Sequence, residues 1–123
     1  MPRIIKSGLI QMSLPITEGE GTIEEIKDAM LKKHLPYIDE AGKNGVQILC
    51  LQEIFNTPYF CPGQDMKWYA SAESVPGPTT EFLQEYARKY QMVLIVPVYE
   101  KEQPGVLYNT AAVIDADGTY LGK

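Results

Sequence analysis

The run Val46-Gln47-Ile48-Leu49-Cys50-Leu51-Gln52-Glu53 constrains this chain more than any other stretch. It is apolar apart from Gln47 until it stops on Gln52 and a carboxylate. A short apolar run of this kind reads as a strand buried within a sheet. In open α/β sheets, ligands collect at the carboxyl ends of the strands. Glu53 is therefore delivered where a ligand would bind. A loop rich in aromatics and proline follows at once, from Ile54 and Phe55 through Tyr59 and Phe60 to Pro62 and Gly63. A rigid strand that carries an acid into such a loop supplies half of an active site.

The rest of the chain supports a layered sheet. Ile4 to Met12 reads as a first strand, ended by Pro15. Thr22 and Glu25 have the spacing of a capping box, in which each side chain bonds the other's backbone N–H. Ile23, Ile26 and Met30 mark an apolar helical face continued by His34, with Ile38 and Ala41 beyond it. Pro36 is expected to kink or split this helix, because it removes a hydrogen bond and crowds the preceding turn. Gly42 and Gly45 supply the stop. A short helical turn is expected near Asp65 to Ala70. Thr79 or Thr80 is expected to cap a second helix with Phe82, Leu83, Tyr86 and Ala87 on one face. Met92 to Val98 reads as the third strand, Glu100 to Gly105 as a polar turn, and Leu107 to Ile114 as the fourth strand. Asp115-Ala116-Asp117-Gly118 is a tight turn into a fifth strand starting at Thr119. The order β-α-β-α-β-β-β predicts an α/β architecture. No linker, repeat or low-complexity tract divides the 123 residues, which read as one domain or part of one. The last strand begins only a few residues before Lys123, so a piece of a longer domain is expected.

Composition narrows the function classes. The net charge of -5 argues against nucleic acid and anionic membrane surfaces as partners. No apolar run approaches the roughly 18 residues needed to cross a bilayer. The opening Met1-Pro2-Arg3-Ile4-Ile5-Lys6 lacks the long apolar stretch of a signal peptide. Two cysteines do not make a disulfide framework, and Cys50 reads as a reduced thiol in a buried strand. A cytoplasmic protein is expected.

Glu53 is the leading candidate for chemistry, against the plain reading of a solvated acid ending a strand. Burial in its apolar setting would raise its pKa and suit it to general base work. Strand alternation puts Cys50 and Glu53 on opposite sides, so Glu53 does not readily activate Cys50. Cys61 lies in the loop, where nothing else marks it as activated. His34, the single histidine, reads as structural. One His and two Cys do not make a metal site. Asp115-x-Asp117-Gly118 lacks the closing glutamate of a calcium loop. Gly19-x-Gly21 lacks the third glycine of a dinucleotide fingerprint. Tyr59, Tyr108 and Asn109 are candidates to line a pocket.

The stretch Leu49-Cys50-Leu51-Gln52-Glu53-Ile54-Phe55-Asn56-Thr57-Pro58-Tyr59-Phe60 resembles the first active-site motif of the nitrilase superfamily of carbon–nitrogen hydrolases. Gly8 to Met12, Ala41 to Gly45, Pro76 to Thr79, and Tyr108 through Gly118 resemble further parts of that family, in order. Within it the chain looks most like the β-ureidopropionase-like N-carbamoyl amidases, with N-carbamoylputrescine amidases as near rivals. The resemblance implies an α-β-β-α sandwich, of which residues 1–123 would be the N-terminal half, an incomplete domain. It implies assembly as homodimers or larger homo-oligomers, a small N-carbamoyl or amide substrate, and no metal or organic cofactor. It also implies a Glu-Lys-Cys triad in which Glu53 matches the general base.

The family's lysine and cysteine lie beyond the residues matched here. Lys123 precedes the expected lysine, and Cys50 and Cys61 fall on the wrong side of the motif order. The chain alone is therefore expected to be inactive. Two rivals remain: a truncated, non-catalytic relative serving as a dimerising or binding module, and an unrelated small enzyme using Glu53 with Cys61.

Overall fold

A computed structural model describes residues 3–17 and 19–123. Met1 and Pro2 of the opening segment lie outside the described residues. Five strands form one sheet in the order β1-β2-β3-β4-β5: β1 Ser7–Leu9, β2 Ile48–Cys50, β3 Val93–Gln103, β4 Val106–Ile114 and β5 Tyr120–Gly122. The first three are mutually parallel, and the last three form antiparallel pairs. Helix α1 (Ile23–Lys43) joins β1 to β2, and helix α2 (Pro78–Tyr90) leads into β3. A 3-10 segment, Met66–Ser71, precedes α2 as expected.

The expected capping box starts α1. The Thr22 hydroxyl accepts from Glu25 N–H (3.2 Å) and the Glu25 carboxylate accepts from Thr22 N–H (2.8 Å). Ile26, Met30, His34 and Ile38 are buried at four-residue spacing, one stripe of a 3.6-period helix. Pro36 does not split α1. It is exposed, as is Lys32, so the proline lies on the outer face of the helix while the buried stripe holds the two halves together. Gly45, at φ +71°, ends the helix: its N–H bonds Gly42 O and Val46 N–H bonds Ala41 O, each at 3.0 Å.

Gly42 acts differently from the helix stop expected of it. A Cβ there would lie 2.2 Å from Cγ of Tyr90. The missing side chain lets α1 and α2 approach until the Tyr90 hydroxyl donates to Asp39 (2.5 Å). Gly42→Ala is expected to destabilise the fold by about 1–3 kcal/mol through overpacking, because the obstructing atom is the root of the ring. Urea unfolding followed by circular dichroism checks this, and an unchanged midpoint contradicts it.

Helix α2 is capped two or three residues earlier than the Thr79 or Thr80 expected. Gly77 is its N-cap and Pro78 its first residue, where the absent proline N–H has no intrahelical acceptor to miss. Thr80 completes the cap from inside the helix: its hydroxyl accepts from Gly77 N–H (2.8 Å) and donates to Gly77 O (2.9 Å).

Both helices cover one sheet face. Ile38, Leu83 and Ala87 pack in one core with Leu49, Leu94, Val96, Val98, Ala112 and Ile114. The opposite face is open. Across it Leu9, Cys50, Ile95 and Val113 stand in register on four adjacent strands, and none of them is buried. The result is a helix layer on a sheet layer, half of the expected sandwich. Cys50 is thus only partly buried, on this open face, and not within a two-sided core.

The first strand is shorter than Ile4 to Met12. As an edge strand it pairs only where β2 does. Glutamine side chains extend the pairing at both ends: Gln47 Oε1 accepts from Lys6 N–H (3.1 Å) and Gln52 Oε1 from Met12 N–H (2.5 Å). The third strand runs through the expected polar turn to Gln103, and the reversal narrows to Pro104 and Gly105. The Asp115–Gly118 turn forms as expected, with Gly118 at φ +88° donating to Asp115 O (2.9 Å).

Candidate active site

Glu53 is aimed by the way β2 ends. The β2–β3 ladder repeats every two residues, from Val93 N–H on Gln47 O (2.9 Å) to Leu51 N–H on Ile95 O (3.1 Å). The next donor on β3 would be residue 97, a proline with no N–H. There β2 leaves the sheet. Its continuation meets β3 once more, where Phe55 N–H donates to Pro97 O (3.1 Å).

The departure is sharp. Ile54, next to Glu53, has φ +46°, a left-handed conformation that is costly for a β-branched residue. Residues 54–58 are buried, whereas Glu53 is exposed. Burial of Ile54, Phe55 and Asn56 holds the turn in place. The Asn56 amide donates to the Thr79 hydroxyl (3.2 Å), which ties the turn to the start of α2. Strain beside a carboxylate, sustained by packing behind it, is a way of fixing the carboxylate's direction.

Glu53 accepts a hydrogen bond from Asn109 Nδ2 at 2.6 Å. Asn109 lies on β4, and its backbone pairs with Tyr99. The structure therefore brings together Glu53 and Asn109, which the sequence suggests separately. Tyr59 is exposed on the same loop. The neighbouring Cys61 pushes the Tyr59 phenol up, and Glu53 adds to the effect. Tyr108 is also exposed, and lines a hollow with Asn109, Glu100, Glu102 and Lys123 that does not include Glu53. Glu53 itself is exposed, not set in the apolar surroundings its sequence neighbours suggest.

Neither cysteine is presented as a nucleophile. The Cys50 thiol is pushed up by burial and donates to Leu51 O at 3.4 Å, so it is protonated. Cys50 and Glu53 nevertheless line one shallow cavity of about 320 Å³ with Leu9 and Gln11. Strict alternation does not separate them, because the strand ends at Cys50 and a turn begins at Glu53 itself. Cys61 is exposed beside a hollow formed with Phe60, Asp65 and Tyr69. Phe60 itself is fixed, stacked on Trp68 (5.8 Å between centroids, 13°) and tilted on Tyr99 (5.0 Å). A larger cavity, about 590 Å³, lies among α1, α2 and the 3-10 segment and does not include Glu53. Among the described residues no cluster of His, Cys, Asp and Glu is spaced to hold a metal ion. No helix among them is long and apolar enough to cross a membrane.

His34 supports the site from behind. It is fully buried, as the structural reading expects, with Nδ1 bonded to Met30 O (2.8 Å) and its ring edge-on to Phe55 at 5.0 Å. Nε2 has no partner. Burial holds its pKa below the usual 6.5, a further lowering comes from Lys33, and the Met30 bond only partly opposes them. An unfolded chain binds this proton below about pH 6.5 while the native chain resists it. Stability is therefore fully present above that pH and falls as pH drops toward the native pKa, by at most about 1.4 kcal/mol per pH unit. The urea midpoint is expected to be lower at pH 5.5 than at 7.5, and His34→Phe to flatten the difference. An equal pH dependence in that variant refutes the assignment.

The carbon-nitrogen hydrolase family model matches residues 9–123. This chain belongs to the carbon-nitrogen hydrolase family. It is 39% identical over 124 aligned residues to a beta-ureidopropionase of Arabidopsis thaliana, covering 99% of this chain and 30% of that protein. It is 37% identical to an omega-amidase of Homo sapiens, covering 82% of this chain and 35% of the relative. A carbon-nitrogen hydrolase from Helicobacter pylori G27 superposes with a TM-score of 0.79 at 24% identity, covering 96% of this chain and 38% of that one. That likeness bears on the fold alone. The chain spans about a third of the length of these family members.

Glu100 has no part in the sequence reading except as the start of a turn. It is 2% exposed and accepts from Thr110 Oγ1 (2.5 Å) and from Lys123. A signal was present: Leu94, Val96, Val98 and Glu100 recur at period two, which places an acid on the buried face.

Proposed function

We propose that this chain supplies the base-bearing layer of an amidase that hydrolyses a non-peptide C–N bond in a small N-carbamoyl compound, with N-carbamoyl-β-alanine as the first substrate to test. The observation that carries the proposal is the Glu53 carboxylate, presented at the carboxyl end of a parallel strand and gripped by Asn109. The beta-ureidopropionase relative supports the substrate class.

Glu53 is the general base. It takes the proton of a cysteine thiol, whose sulfur then attacks the carbamoyl carbon. A lysine ammonium stabilises the charge of the tetrahedral intermediate. The intermediate collapses by breaking a carbamoyl C–N bond, and the proton held by Glu53 goes to the departing ammonia. Water then cleaves the covalent thiol ester, and the carbamate released loses carbon dioxide to leave the amine. Cysteine and lysine come from outside residues 1–123, and Tyr59 and Asn109 border the substrate. Residues 1–123 form the N-terminal part of a single domain, working in the cytoplasm as a homo-oligomer. N-carbamoylputrescine and ω-amides are the alternative substrates.

The test is ammonia release from N-carbamoyl-β-alanine. Hydrolysis is expected only when the chain is joined or complemented by polypeptide that brings the lysine and cysteine. Turnover by the isolated chain that survives Glu53→Gln would falsify the scheme.

The open row Leu9–Cys50–Ile95–Val113 favours a second reading, a dimerising or binding module without catalysis. Sedimentation addresses it, since a well-folded, purely monomeric species rejects that role.

A further inference from the structure

We propose that Glu100 is a positioning residue for Glu53, acting through β4 from the opposite face of the sheet. This inference rests on the proposed amidase reading only for its catalytic meaning. The geometry stands without it.

Glu100 ties three strands together. It lies on β3, Thr110 on β4, and Lys123 immediately after β5. Thr110 pairs with Val98, two residues before Glu100, so the hydroxyl meets the carboxylate diagonally on one face. Burial pushes the Glu100 carboxyl up, but the bonds from Lys123 and Thr110 outweigh it and hold the group below the usual carboxylate range. A buried charge kept ionised in this way fixes both of its partners, because neither can leave without stranding it.

The link to the site is a single peptide unit. Asn109 and Thr110 are adjacent on β4 and point to opposite faces. Asn109 is exposed and holds Glu53, while Thr110 is buried and held by Glu100. A change in the set of Thr110 rotates the backbone that aims the Asn109 amide. Two acids on opposite faces, Glu53 and Glu100, thus clamp neighbouring residues of one strand. Among the described buried residues Glu100 is the only acid.

The experiment follows the side-chain amide of Asn109 in the ¹H–¹⁵N spectrum of this chain, assigned with Asn109→Ser. Glu53→Ala, which removes the acceptor, sets the free position. Glu100→Gln is expected to move the Asn109 signals at least half-way to that position. Thr110→Val moves them and Thr110→Ser restores them. Glu73→Gln, which breaks the comparable Lys27–Glu73 pair (2.9 Å), leaves them in place. If Glu100→Gln does not fold, Lys123→Met keeps the test open, with movement in the same direction expected. Unmoved signals in a folded Glu100→Gln or Lys123→Met chain overturn the proposal, as does an equal movement in Glu73→Gln. Absence of amidase activity with the Asn109 response intact rejects the functional reading and leaves this one standing.

Discussion

In any preparation that hydrolyses N-carbamoyl-β-alanine, Glu53→Gln is expected to lower kcat by about 10²–10⁴-fold, the usual worth of a positioned general base. KM should change little, because the lost interaction is made as the thiol proton moves, not as substrate binds. Stability should stay within about 0.5 kcal/mol, the usual range for an exposed position. Glu53 is exposed, and the glutamine carbonyl can still accept from Asn109 Nδ2. This pairing of a large kinetic effect with an intact fold separates a base from a structural acid. Glu53→Asp gives a second point. It withdraws the carboxylate by roughly one carbon–carbon bond, about 1.5 Å, and a misplacement of that size costs about 10²-fold. A Glu53→Gln enzyme retaining half its kcat would remove Glu53 from the chemistry.

Much of this fold is legible because local chemistry and tertiary need agree. Thr22 and Glu25 can satisfy each other without help from distant residues, and the Asp115–Gly118 turn depends only on its own backbone. Strand ends are less legible, because they depend on partners. Ile4 to Met12 has the composition for a long strand but an edge position beside a short β2. Glu100 to Gly105 reads as a turn because polar residues cluster there, yet the β3–β4 pairing extends to Gln103. Pro36 is harder to judge for a related reason: whether a proline splits a helix depends on the packing on either side of it, and here α1 runs on from Ile23 to Lys43. Within the site, Glu53, Tyr59 and Asn109 stand out as residue types, but the bond between Glu53 and Asn109 spans 56 positions and belongs to no local pattern. Glu100 is hidden by its charge, which suggests exposure until the strand period is counted through it.

The turn behind Glu53 is expected to fail with Phe55. Its ring is fully buried and meets His34 edge-on at 5.0 Å. Phe55→Ala should cost about 3–5 kcal/mol, from lost transfer energy plus the cavity left behind. That is a large share of the roughly 5–15 kcal/mol that holds a domain together, and this sheet has an open face that contributes little. Phe82→Ala is the control. Phe82 sits on α2 at 42% exposure, so the same chemical change there should cost under about 1 kcal/mol. The buried case carries a second signature. Space beside His34 admits water to Nε2, which has no partner in the native core. The desolvation that holds the His34 pKa down is then relieved. Phe55→Ala should therefore be less stable at every pH, yet lose less than the native chain between pH 7.5 and 5.5. Urea titrations at both pH values measure the two effects together. If Phe55→Ala and Phe82→Ala cost the same, the packing that fixes the Glu53 turn is not where the structure puts it. If the variant is weakened but keeps the native pH slope, His34 is shielded by something other than the Phe55 ring.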